Sequence, residues 1–152
     1  MAATDPYTVP FFIGGEEVLP PKTFDVVSPG TGEVVHKSGS ASDVEVKAAA
    51  DAATKAFKTW KNSLPHERRD IFLKAAEVFE KRREELGNYM MSETGAPRQW
   101  ADFNIQTARD FLFDMAGRVA TLDGAFPTTK DPNFGALVLK EPFGAVLAIA
   151  PW

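Results

Sequence analysis

Apolar and polar positions change their period twice along this 152-residue chain. Near the amino terminus Val9, Phe11, Phe12, Ile13 and Val18 surround Gly14-Gly15, and a second pair of short segments, Phe24–Val27 and Glu33–His36, flanks Ser28-Pro29-Gly30-Thr31-Gly32. Glycine supplies the positive φ of a tight reversal and proline presets φ at its start, so the pattern predicts two β-hairpins. From Ser42 to Ala120 the period becomes helical, with helices expected near 42–60, 65–86, 88–94 and 97–120. After residue 134 it shortens again.

The helical stretch carries its own punctuation. Ser42-Asp43-Val44-Glu45 has capping-box spacing, and the helix behind it aligns Ala49, Ala53, Ala56, Phe57 and Trp60. Asn62-Ser63-Leu64-Pro65 breaks that helix, with Pro65 fitted to the first turn of the next. Arg68, Phe72, Ala75 and Phe79 then share a face, with Ile71 and Ala76 beside them. Leu86-Gly87 reads as an interruption, and Thr94-Gly95 as a helix end closed by glycine. In the last helix Ala101, Ile105, Ala108, Leu112, Met115 and Val119 recur at steps of four and three. Phe103 and Phe111 fall off this stripe, so two faces are expected to be covered. Phe111 and Met115 read most simply as core.

The end of the chain is different. Ala136-Leu137-Val138-Leu139 reads as a half-exposed strand, Glu141-Pro142 as a turn, and Ala145–Ala150 as an unbroken apolar run. A run of that kind predicts a parallel strand covered on both faces. Such a strand needs a crossover helix and a neighbour, so the expected fold is an α/β fold that is incomplete within these residues.

Composition narrows the function classes. The net charge of −4 is spread over interleaved acidic and basic residues, as in Glu80-Lys81-Arg82-Arg83-Glu84-Glu85, which argues against nucleic-acid binding. No run approaches the ~20 apolar residues of a membrane span, and Met1–Pro6 lacks a signal-peptide pattern, so a soluble, cytoplasmic protein is expected. There is no cysteine, which excludes disulfides, thiolate metal sites and a cysteine nucleophile from these residues. His36 and His66 have no Cys or His partner at ligand spacing.

Several pieces, in order, carry a resemblance: Phe12-Ile13-Gly14-Gly15-Glu16, Phe24–Val34, Arg68–Ala76, Glu93-Thr94-Gly95, then Glu141-Pro142-Phe143-Gly144-Ala145-Val146 and Ile149-Ala150-Pro151-Trp152. Together they resemble the amino-terminal portion of NAD(P)-dependent aldehyde dehydrogenases, and in texture the members that oxidise salicylaldehyde or vanillin. The resemblance covers nearly the whole chain. It implies that residues 1–152 are the amino-terminal part of one such domain: β-hairpins, a four-helix cluster, an oligomerisation-type strand, and the first strand of a Rossmann-like domain. It also implies that one flank of the last helix walls the aldehyde channel, and that Ala136, Leu137, Val138 and Leu139 serve self-association or assembly with a full-length homologue. Ile149, Ala150, Pro151 and Trp152 would form a partial wall beside the nicotinamide ribose of NAD or NADP, too little to bind the cofactor by themselves. The family's catalytic Cys, oxyanion Asn, general-base Glu and pyrophosphate turn have no counterpart here. Two readings follow: part of an aldehyde-oxidising enzyme, not catalytic in isolation, or a non-catalytic module that assembles with a full-length relative.

Overall fold

The computed structural model describes residues 7–150. Its order is β1 (Thr8–Val9), β2 (Phe11–Ile13), β3 (Glu16–Val18), β4 (Thr23–Val27), β5 (Val34–Gly39), then α1 (Asp43–Trp60), α2 (Pro65–Lys81), α3 (Arg83–Thr94), α4 (Arg98–Arg118) and a 3-10 turn at Val119–Thr121.

Both hairpins form. β2 and β3 are antiparallel around Gly14 and Gly15, whose φ values of 66° and 92° suit a two-residue turn. β4 and β5 are antiparallel with an irregularity at Val26/Val27, and Gly32 takes φ 75° in their turn. The Ser28 amide donates to the Glu33 carbonyl at 2.9 Å and its carbonyl accepts from the Gly32 amide at 2.8 Å, which satisfies the backbone of a buried residue. One pairing was not legible in the sequence. Thr8-Val9 runs parallel to β5, Thr8 opposite Lys37, so Val9 belongs to the three-stranded sheet β1-β5-β4 and not to the first hairpin. Pro10, which has no N–H to extend a ladder, separates the two sheets.

Helix starts follow the predicted chemistry. The Ser42 hydroxyl accepts from the Val44 amide at 3.3 Å while Glu45 Oε2 accepts from the Ser42 amide at 2.7 Å. Pro65 opens α2, and the Leu64 amide donates to Glu67 at 2.6 Å. Arg68 turns back to donate to the carbonyl and hydroxyl of Ser63, which closes the α1–α2 corner.

Two helical expectations need correction. Leu86-Gly87 does not interrupt: the chain breaks at Arg82 (φ −100°, ψ 12°), and Gly87 lies buried within α3. A Cβ there would stand 3.7 Å from Ile105 Cδ1, an ordinary contact distance, so Gly87 faces α4 without a close approach that demands glycine, and the helix carries the ~1 kcal/mol that glycine costs inside it. The α1 stripe is also not a packed face. Of its apolar residues only Ala52 and Phe57 are half-buried, while Ala49, Ala53 and Ala56 remain exposed along an open groove opposite Phe12 and Ile13, and Trp60 is exposed as well.

The core lies among α2, α3, α4 and the 3-10 turn. Its buried apolar residues, among those described, are Ala76, Ala101, Ile105, Ala116 and Val119. Alanine at the crossing lets backbones approach closely, and Ile105 and Val119 fill the space between them. Charge locks the exterior of this joint: Arg98 on α4 donates to both Glu84 oxygens at 2.9 and 2.8 Å and to Asp102 at 3.1 Å, tying α3 to α4.

Neither predicted carboxy-terminal strand forms a ladder. Val138 makes a single antiparallel bridge to Ala125, and Ala145–Ala150 has a bend at Ala145 and no strand pairing. β-structure requires a neighbour for its N–H and C=O groups, and no ladder or bridge pairs this run with a described strand.

Candidate functional site

The residues expected beside a nucleotide are the least enclosed. Ile149 is 84% exposed and Ala150 is exposed as well, while Pro151 and Trp152 lie outside the described residues. Neither described side chain offers a charge or a hydrogen-bond donor, so these two residues by themselves do not fit a dinucleotide.

α4 carries the more informative surface. Its inward face is set by Ala101, Ile105 and Ala116, with Leu112 half-buried between them. Trp100, Phe103, Thr107 and Phe111 follow one another at steps of three and four, which places them on a separate flank. Trp100 and Phe103 stack with ring centroids 5.5 Å apart. Phe111 is 63% exposed and Met115 40% exposed, so the reading of both as core is overturned. The inward side of the last turns is taken by Ala116, one residue beyond Met115; a stripe of four-and-three steps fits either residue, and the small one sits at the crossing.

The opposite flank of α4 is electrostatic. Arg109 lies 4.9 Å over the Phe113 ring with its Nε 3.4 Å from Glu80, and Arg83 reaches both Glu80 at 3.0 Å and Gln106 at 2.8 Å. The hydrogen bond from Arg83 holds the Glu80 carboxyl below its usual range, and Arg98 and Arg82 do the same for Glu84 and Glu85. Lowered carboxyl pKa values keep these groups ionised and paired. A general base needs a raised value near working pH, which none of these three has.

The structure also joins residues that the sequence left apart. His36 on β5 lies 3.4 Å from Glu93 in the last turn of α3. Two residues on, Gly95 ends that helix in the left-handed region at φ 70°, and a Cβ there would meet Pro29 Cγ at 3.0 Å. The quoted segments Phe24–Val34 and Glu93-Thr94-Gly95 therefore touch. Nothing in a spacing rule could have paired a strand with a helix end more than fifty residues away. Among the described residues no group of three or more His, Cys, Asp or Glu could hold a metal ion, and no helix is long and apolar enough to cross a membrane.

Comparison with known proteins gives one consistent answer. The aldehyde dehydrogenase family profile matches residues 17–152. The chain is 37% identical over 148 residues to a vanillin dehydrogenase of Pseudomonas sp. (strain HR199 / DSM 7063), covering 96% of this chain and 31% of that protein. It is 35% identical over 132 residues to a salicylaldehyde dehydrogenase of Pseudomonas sp. (strain C18), covering 86% and 27%. Among solved structures it resembles a salicylaldehyde dehydrogenase from Pseudomonas putida G7 complexed with salicylaldehyde, with a TM-score of 0.84 and 30% identity over 90% of this chain and 28% of that one. The chain thus spans under a third of the length of these relatives. The family profile covers all but the first sixteen residues, and the chain belongs to the aldehyde dehydrogenase family.

Proposed function

We propose that residues 1–152 form the amino-terminal part of an enzyme domain that oxidises aldehydes, aromatic ones among them, to carboxylic acids with NAD or NADP. In that enzyme this stretch contributes a wall of the aldehyde channel and none of the bond-making groups. The observation that carries the reading is the aromatic flank of α4: a helix with a well-packed inner face leaves Trp100, Phe103 and Phe111 exposed together. Large apolar side chains left in a row on a soluble surface mark a surface that meets something apolar. An aromatic ring is the kind of ligand such a row suits, since aromatic pairs contribute about 0.5–1.5 kcal/mol beyond their buried area.

The chemistry has to come from elsewhere. Oxidation through a covalent thiohemiacetal needs a thiolate, and these residues contain no cysteine. The cofactor, when bound, would accept hydride, and the side chains of Ile149 and Ala150 offer it neither charge nor hydrogen-bond donor. The test begins with the coding sequence. Beyond the Trp152 codon it is expected to continue with an Asn codon and, downstream, a Cys codon. The encoded polypeptide should then oxidise salicylaldehyde or vanillin with NAD or NADP, and Phe111→Ala should raise KM for the aldehyde while leaving KM for the cofactor unchanged. An unchanged aldehyde KM would remove the channel-wall assignment.

One observation favours a second reading. Leu137 and Leu139 are exposed beside the single bridge at Val138, so Ala136–Leu139 presents an apolar strand without a ladder. A non-catalytic module would use this strand to assemble with a full-length relative. A stop codon after Trp152 together with co-purification of that relative supports this reading; continuation of the reading frame rejects it.

A further inference from the structure

The contact between the β4–β5 turn and the end of α3 bears on the aromatic flank just described. α3 ends at Gly95, Ala96 and Pro97 follow, and α4 begins at Arg98. Trp100, the first aromatic residue of the flank, borders a shallow pocket shared with Met90, Thr94 and Ala96. The corner from Glu93 to Pro97 therefore fixes where α4 starts and where its flank points. Two residues of the β-sheet region press on that corner: Pro29, against Gly95, and His36, 3.4 Å from Glu93. Pro29 is stiff, and it sits in a turn whose backbone is closed by the Ser28–Glu33 and Gly32–Ser28 hydrogen bonds.

We propose that Pro29 and His36 are positioning residues for the substrate wall: they act as a backstop that sets the α3–α4 corner and, through it, the placement of Trp100, Phe103 and Phe111. This rests on the channel-wall reading of α4. Gly95 is the sensitive point. Any side chain there is strained at φ 70°, and its Cβ would stand 3.0 Å from Pro29 Cγ, tight enough that one side must give by a few tenths of an ångström, so Gly95→Ala pushes the corner slightly away from the turn. If the backstop acts through contact, shortening its other half relieves the push: Pro29→Ala in the Gly95→Ala background removes the atom that the new methyl meets.

The experiment uses the full polypeptide encoded by the gene, with hydrogen exchange by mass spectrometry and steady-state kinetics on the same variants. Gly95→Ala should speed exchange in the first turns of α4, over residues 98–104, and raise KM for salicylaldehyde about three- to tenfold, below the ~100-fold that a full 1 Å misplacement can cost. KM for the cofactor should stay constant. Adding Pro29→Ala should return both readouts most of the way, whereas backbone strain at residue 95 alone would leave them unrescued. Glu93→Gln, which keeps the side chain's size and removes its charge, should shift the same readouts in the same direction by a smaller factor. Absence of rescue by Pro29→Ala, or exchange changes confined to β4 and β5, overturns the backstop. Phe111→Ala separates the two claims: if it leaves aldehyde KM unchanged, the channel-wall reading fails, while the exchange data still decide whether the turn sets the start of α4.

Discussion

Ile105 and Phe111 lie six residues apart on one helix and should respond in opposite ways to truncation. Ile105 is 3% exposed, between α3 and α4, with Gly87 directly opposite. Ile105→Ala removes three carbons at about 0.8 kcal/mol each and leaves a cavity beside a glycine that cannot fill it, so the expected loss is about 3–4 kcal/mol, inside the usual ~2–5 kcal/mol for such a change. Phe111 is 63% exposed. Little more than a third of its surface is removed from water, which scales the ~1.5–3 kcal/mol of a fully buried side chain to about 1 kcal/mol or less. Pulse proteolysis in a urea series at sub-micromolar protein reads both values in the full-length chain. The Ile105→Ala midpoint should fall well below that of Phe111→Ala, while Phe111→Ala should be the variant that alters aldehyde kinetics. Equal stability losses would mean that Phe111 belongs to the core after all, and that the aromatic flank is packing left partly open.

Three further outcomes follow. Ser42→Ala should cost about 1 kcal/mol by removing the α1 cap, and an NMR titration should show the Glu45 carboxyl, now held low first by its hydrogen bond with the Ser42 side chain, rising toward its ordinary range. Because that carboxyl is lowered in the folded state, its contribution is present above the unfolded pKa and lost as pH falls through the folded one; the wild-type chain should lose more stability across that acid window than Ser42→Ala does. Gly39→Ala would place a methyl 2.6 Å from Phe11 Cε1 and 2.9 Å from Pro20 Cβ, and the ~1–3 kcal/mol of overpacking should exceed the ~0.4–1 kcal/mol gained from a stiffer unfolded chain, lowering the thermal midpoint. The purified 152-residue chain should show no aldehyde-dependent reduction of NAD or NADP, since no cysteine is present to form the thiohemiacetal; turnover in a preparation free of host dehydrogenase would contradict this.

Local chemistry was legible in the sequence and tertiary choice was not. The Gly14-Gly15 turn, the Ser42–Glu45 cap, Pro65 at a helix start and Gly95 at a helix end each depend on a few neighbouring residues, and all appear in the structure as expected. Gly87 misled because glycine disfavours a helix by only about 1 kcal/mol, a cost that a helix packed on its neighbours carries without breaking. Met115 and Ala116 were confused for a related reason: periodicity assigns a face with a tolerance of about one residue, and helix crossing then selects the smaller side chain. The parallel pairing of Thr8-Val9 with β5 and the contact of His36 with Glu93 carry no periodic signal at all. The candidate site suffered most. A channel wall consists of apolar residues that are not buried, and a sequence cannot distinguish them from apolar residues that are.

The same ambiguity governs the carboxy-terminal run, where the structure permits a definite expectation. Ala145–Ala150 has the composition of a strand covered on both faces, yet Val146 is 76% and Leu147 84% exposed, and Phe143 just before them is fully exposed. With Ile149, four large side chains meet water, each worth roughly 1.5–3 kcal/mol on burial, so about 6–12 kcal/mol of apolar transfer is left unused, comparable to the ~5–15 kcal/mol stability of an ordinary domain. Their backbone has no ladder partners, and an uncharged β-prone stretch of that kind offers an edge to any similar one. A second copy of the chain supplies such an edge, and so would any sheet that covers the run in a longer polypeptide. The 152-residue chain by itself should therefore self-associate, and removal of residues 142–152 should shift it toward monomer without altering helix content, because α2, α3 and α4 form their core without those residues. Light scattering and circular dichroism on the two chains measure this directly. A monodisperse monomer whose cooperative melting is unchanged by the deletion would show that the exposed run carries no adhesive free energy, and the burial argument for it would have to be withdrawn.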